Sequence, residues 1–301
     1  MTAPGRGVLL GTGAYLMWGL FPLYWPLLEP SGSLEVLAHR VLWSLAVVVL
    51  MLAATRRLSS VRAAVADRRR LARLALAAVV IALNWGVYIY GVTTDRVVET
   101  SLGYFMNPLV TVLLGVVVLG ERLRRAQWIA VAVAAVAVVV LTVAGGELPW
   151  IAIVLACSFG AYGLLKKTAG VGALEGLAVE TAVLFPVTVL FVGWLGVSGE
   201  GTFGSEGVGH AGLLALSGVI TAIPLLMFGA AASRLPLSTL GVLQYLTPTM
   251  QFALGIVVFA EPLPLPKLLG FVLVWTALVL FTVDLFRHHR RASPLVVAEP
   301  A

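Results

Sequence analysis

Two opposite charges, Arg40 and Glu180, lie inside apolar stretches of this chain. Neither side chain is at home facing lipid, because removing an ion from water costs several kcal/mol. Ions placed there pair with each other, line a polar cavity or act on a moving solute. Arg40 and Glu180 are 140 residues apart, at equivalent places in a repeated pattern. One reading is therefore an ion pair between the two halves that forms or breaks as they rock. The other is a static structural pair, or an Arg40 that snorkels to the outer interface.

Neutral hydrogen-bonding groups form a second set. Tyr104, Asn107 and Thr111 are spaced three and four apart, so they share one helix face. Pro108 removes a backbone donor and frees the carbonyl one turn back, near Tyr104. Gln244, Pro248 and Gln251 repeat the arrangement. Pro-interrupted helices at corresponding positions are the usual sequence pointer to a carrier's binding site. The competing reading is that Pro108 and Pro248 only kink their helices while the amides hold neighbours together. Tyr15, Trp18, Pro22 and Trp25 fall on one stripe. Asn84, Trp85 and Tyr88 follow in the third span, and Ser158, Tyr162 and Lys166 step by four in the sixth. Such stripes suit an amphipathic solute, or they are packing and interface residues. Trp25, close to a span end, reads as an interface residue; Tyr15, Trp18 and Asn84 lie deeper and, with Tyr88 and Tyr162, read as cavity candidates.

Enzymatic signatures are missing. There is no nucleophile elbow, zinc-protease motif or phosphate-binding glycine loop, so no catalytic residue, metal site or cofactor is expected. Cys157 is the only cysteine, which excludes an intramolecular disulfide, and its neighbours Leu155 and Ala156 suggest a small core residue. Glu121 and Glu261 sit at span ends, where a structural role in ending a helix is expected over a catalytic one.

The elements that carry these residues are apolar throughout. Hydrophobic residues make up 60% of the chain and charged residues 11%, against about 25% charged in a soluble domain. Stretches long enough to cross a bilayer can be placed near 8–28, 35–54, 71–93, 100–119, 126–144, 150–167, 176–197, 211–232, 239–259 and 267–286. Pro108, Gly115 and Glu121 reappear as Pro248, Gly255 and Glu261 at a constant offset of 140. Trp18-Gly19 aligns with Phe159-Gly160. The expectation is an all-α membrane protein of ten transmembrane helices, arranged as two five-helix repeats. Because five is odd, the repeats enter the membrane inverted. The expected organisation is a first repeat over 1–147, a second over 148–286, and a disordered cytoplasmic tail over 287–301.

Orientation follows from the basic residues. Of 20 Lys and Arg, 17 fall in alternate loops on one side, with Arg96 and Lys267 on the other and Arg40 inside a span. That split places both termini in the cytoplasm. It also explains the net charge of +6 as a topology signal, so no nucleic-acid partner is expected. Spans 5 and 10 are nearly featureless, the first being almost wholly Ala and Val, and read as scaffold or as a subunit contact, which leaves a homodimer open.

His39-Arg40-Val-Leu-Trp43-Ser44, Asn84-Trp85, the block from Glu99 through Tyr104-Phe105 to Asn107-Pro108-Leu109, and Gly120-Glu121-Arg122 together resemble the RarD branch of the drug/metabolite transporter superfamily. Leu237-Ser238-Thr239 with Gln244-Tyr245 and Pro248-Thr249 carries the likeness into the second half, and the Pro–Gly–Glu spacing is similar to the wider EamA-type repeat. The resemblance implies ten helices, cytoplasmic termini, a central cavity from spans 1, 3, 4, 6, 8 and 9, and secondary transport in the inner membrane. Members are named for a link to chloramphenicol sensitivity, and related members export amino acids and other metabolites. The expected function is alternating-access transport, by export, of a small amphipathic metabolite, amino acid or drug. A lipid-carrier flippase or a non-transporting scaffold is the alternative.

Overall fold

A computed structural model describes residues 3–120, 122–232, 234–235, 240 and 243–292. All regular structure among them is helical. The elements are α1 (Ala3–Gly19), α2 (Ser33–Ala54), α3 (Leu58–Ala66), α4 (Arg68–Thr93), α5 (Val97–Leu119), α6 (Arg125–Gly145), α7 (Trp150–Ala169), α8 (Ala173–Ser198), α9 (Gly207–Ala232), α10 (Leu246–Val257) and α11 (Leu265–Ala292). Among the described residues seven of these are long and apolar enough to cross a membrane: α2, α4, α5, α6, α8, α9 and α11. In a bilayer only closed hydrogen-bonded structures can span, and helices satisfy their own backbone.

The first expected span is not one helix. α1 stops at Gly19, and two short 3-10 turns, Phe21–Leu23 and Trp25–Leu28, follow it, each with Pro near its start. Pro22 and Pro26 cannot donate the backbone bonds that would continue α1. The broken segment turns Trp25 inward, where it is fully buried beside Phe21 and Leu28. Trp25 is thus a core residue and not an interface residue. Cys157 corrects the other way, being exposed. Leu155 and Ala156 are buried, but neighbours in sequence do not share a helix face.

The basic stretch expected as a loop contains α3, and α4 begins earlier than anticipated because Asp67 caps it. Its carboxylate accepts from the backbone of Arg69 and Arg70 at 2.9 and 3.2 Å. Those two bonds hold the Asp67 carboxyl below its ordinary range.

The chain forms two compact units, Met1–Asn107 with Trp150–Pro262, and Pro108–Pro149 with Leu263–Ala301. Each draws on both sequence halves. In the second, α6 packs against α11, and Gly270 leaves room for Leu141. Arg124 Nε donates to Asp284 at 2.7 Å. The first unit packs α4 on α7, and α2 on α8 and α9. Two carboxylates act there as helix caps. Glu261 accepts from the Val98 N–H at the start of α5, with oxygens at 3.0 and 3.2 Å. Glu99 accepts from the Ile151 N–H at 3.1 Å, at the start of α7. Glu261 is structural as expected, but it serves the beginning of another helix. Glu121 lies outside the described residues.

Candidate functional site

Arg40 sits about two turns into α2, on the face that meets α9. Gly218 makes the approach close: a Cβ there would stand 2.2 Å from the Trp43 carbonyl carbon. Small residues let helices in lipid come together in this way. Arg40 Nε then donates to Thr221 Oγ1 at 2.8 Å. The guanidinium carbon lies 4.0 Å from the Trp85 ring centre, 5.1 Å from Trp25 and 5.6 Å from Phe21. Arg40 is 3% exposed, and its Nη1 has no hydrogen-bond partner. A desolvated cation over indole gains about 2 kcal/mol, and a hydrogen bond to a charged group about 1.5–3 kcal/mol. Together these approach the several kcal/mol that burying an ion costs. The cage therefore tolerates the cation without neutralising it.

The expected pair between Arg40 and Glu180 does not form. Glu180 Oε1 accepts from Lys166 Nζ at 2.7 Å, and Oε2 accepts from the Tyr162 hydroxyl at 3.1 Å. Lys166 on α7 and Glu180 on α8 belong to one helical hairpin, joined by the short turn after Ala169. A local cation reaches Glu180 with less chain ordering than Arg40 would need from the other half. Gly176, one turn before Glu180, clears the path, since a Cβ there would lie 2.1 Å from Lys166 Nζ.

Two amides tie helices together. Asn84 is fully buried on α4, and its Nδ2 donates to the Leu155 carbonyl at 3.1 Å and to Ser158 Oγ at 2.9 Å. Its Oδ1 accepts from the Tyr104 hydroxyl at 3.3 Å. Gln251 Nε2 donates to the Tyr88 hydroxyl at 2.9 Å and to the Trp18 carbonyl at 3.2 Å, while Oε1 has no partner. Thr247 Oγ1 donates to the Tyr15 carbonyl at 2.8 Å and fastens α10 to α1. Asn84 thus joins α4, α5 and α7, and Gln251 joins α10, α1 and α4.

These groups surround a cavity of about 400 Å³ within the first compact unit. Trp18, Arg40, Asn84, Tyr88, Tyr104, Asn107, Tyr162, Gln244, Pro248 and Gln251 all line it. Glu180 stands behind Lys166 and Tyr162, and Pro108 falls outside the lining. The prolines also differ from expectation. α5 continues through Pro108 without ending, as transmembrane helices allow when neighbours and local adjustments satisfy the freed group. Pro248 instead sits in the first turn of α10, just after a turn at Gln244 and Tyr245. Its missing N–H is the one that would have bonded the Gln244 carbonyl, so only the second-half proline coincides with a break.

The residues that sequence reasoning passed over are Thr221, which holds Arg40, and Phe228, whose ring packs 5.7 Å from Trp18 and 5.9 Å from Tyr15. Thr221 carries no spacing signal, because it matters through a partner on a distant helix, whereas Thr247 falls at the repeat offset of 140 from Asn107.

Comparison with known proteins accounts for nearly the whole chain. It is 56% identical over 302 residues to Protein RarD of Streptomyces exfoliatus, covering 98% of this chain and 96% of that protein. The chain belongs to the RarD branch of the EamA-like transporter family. The family's own model matches residues 5–143. Protein RarD of Escherichia coli (strain K12) is 39% identical, with 96% of this chain and 97% of the relative covered. A solved crystal structure at 20% identity matches with a TM-score of 0.60 over 96% of this chain and 99% of that one, which shows a shared fold. Membership in this branch makes the protein a multi-pass membrane transporter of the inner membrane and not an enzyme. The lipid bilayer and a small-molecule substrate are its partners.

Proposed function

We propose that this RarD-branch protein is a secondary carrier whose solute binds in the α1–α4–α5–α7–α9–α10 cavity and crosses by alternating access, in the direction of export. The carrying observation is the chemistry of the lining. Aromatic rings of Trp18, Trp85, Tyr88, Tyr104 and Phe228 surround a few polar groups, Arg40, Asn107, Gln244 and Gln251, in a volume of about 400 Å³. Mostly apolar walls with a small number of placed polar groups are what a small amphipathic solute needs. The lining draws on both sequence halves, which fits two inverted five-helix repeats enclosing a midplane site, with both termini cytoplasmic. A chain without an ATP-binding motif must draw its energy from a solute or ion gradient.

The test is a comparison of solute release and uptake in cells with and without the protein. The proposal expects at least one small amphipathic solute to differ between them, and identical solute profiles would reject it.

A further inference from the structure

Among the described residues lining the cavity, Arg40 and Lys166 are the cations and there is no carboxylate. Lys166 is already matched, since its Nζ holds Glu180 Oε1 at 2.7 Å. Arg40 is not. It is 3% exposed, its Nε is taken by the neutral Thr221 hydroxyl, and its Nη1 has no partner. A guanidinium keeps its charge in proteins, so the cavity wall carries one positive charge that no described residue neutralises.

We propose that the cargo of this site carries a single carboxylate that docks on Arg40, with its apolar or aromatic body against Trp85 and the adjoining rings. This rests on the reading of the cavity as the solute site and narrows it to one substrate class. The charge count decides the class. One unmatched cation is balanced by one negative charge, whereas a phosphate dianion would bring a second charge with no partner. A cationic solute, or the ammonium of a zwitterionic amino acid, would need an anion in the wall. Glu180 cannot serve, because both its oxygens are engaged by Lys166 and Tyr162 and it lies outside the lining. Arginine also suits a carboxylate by shape, its planar fork offering parallel N–H donors. The indole face 4.0 Å from the guanidinium carbon fixes the plane of that fork.

The test uses the purified full chain in lipid nanodiscs and three matched probes: 4-phenylbutyrate, 4-phenylbutyramide and 4-phenylbutylamine. Binding is read from the quenching of tryptophan fluorescence, since Trp18 and Trp85 line the cavity, and from thermal stabilisation by bound ligand. The expected result is that the carboxylate binds about tenfold or more tighter than the amide, and the amine weakest. Arg40→Gln should abolish that preference, and Arg40→Lys should retain the order with weaker binding. Equal binding of acid and amide, preference for the amine, no binding of any probe, or an acid preference that survives in Arg40→Gln would each overturn the inference. The wild-type comparison of three probes stands even if a variant does not fold. A failure here would leave the carrier reading intact, because that reading is measured separately by solute release from cells.

Discussion

Lys166 Nζ stands 2.7 Å from Glu180 Oε1, so the buried carboxylate is neutralised inside its own hairpin and not by the arginine of the opposite half. That relationship frees Arg40 for the cavity. It also changes which double exchange should rescue a broken pair. Lys166→Met leaves the buried Glu180 carboxylate without its partner, at a cost of about 3–5 kcal/mol, and Glu180→Gln leaves Lys166, 20% exposed, unpaired at a smaller cost. Folded yield by fluorescence-detected size exclusion should fall for either single change. It should recover in part when Lys166→Glu is combined with Glu180→Lys. Combining Arg40→Glu with Glu180→Arg should give no recovery, and recovery there would show that Arg40 and Glu180 are the true pair.

Asn84 and Gln244 both line the cavity but should behave differently. The Asn84 amide makes three bonds that join α4 to α5 and α7. The Gln244 side chain, half-buried before α10, has no hydrogen-bond partner among the described residues. Asn84→Ala orphans buried groups at about 1–3 kcal/mol each, and should lower folded protein and transport together. Gln244→Ala should lower transport at an unchanged protein level. The ratio of transport to membrane protein measures the difference. If that ratio is unaltered in Gln244→Ala, the residue does not contact the solute.

Topology gives a third test. With the single native cysteine removed by Cys157→Ser, a cysteine at Ser60 should react with an impermeant maleimide only from the cytoplasmic side, and one at Ser205 only from outside. Both positions are exposed. The expectation rests on 17 of 20 basic residues falling on one side. Labelling of both from the same face would refute the inverted ten-span arrangement.

Much of the cavity wall was legible in the sequence, because polar and aromatic residues in long apolar stretches stand out against their surroundings. Trp18, Asn84, Tyr104, Gln244 and Gln251 could be chosen on that ground alone, and all of them line the one cavity. Partners were less legible. Helical spacing identifies a shared face but not the neighbour opposite it, so the repeat offset points from Glu180 to Arg40 although Lys166 lies within the same hairpin. The burial of Trp25 was hidden for a different reason. Its position depends on the break that Pro22 and Pro26 impose after Gly19, and an uninterrupted helix would have carried it towards the interface. Thr221 gave no signal, since its importance comes from Gly218 letting α9 approach α2.

The central claim is that solute passes through this cavity, and filling it is the most direct test. Gln244→Trp places an indole in a site of about 400 Å³ without removing any described hydrogen bond of that side chain. Solute release is then compared among cells carrying wild-type protein, cells carrying Gln244→Trp and cells carrying none, at matched amounts of membrane protein. The account predicts that Gln244→Trp cells release solutes as cells without the protein do. Wild-type release by Gln244→Trp, with the indole shown to occupy the cavity, would contradict it.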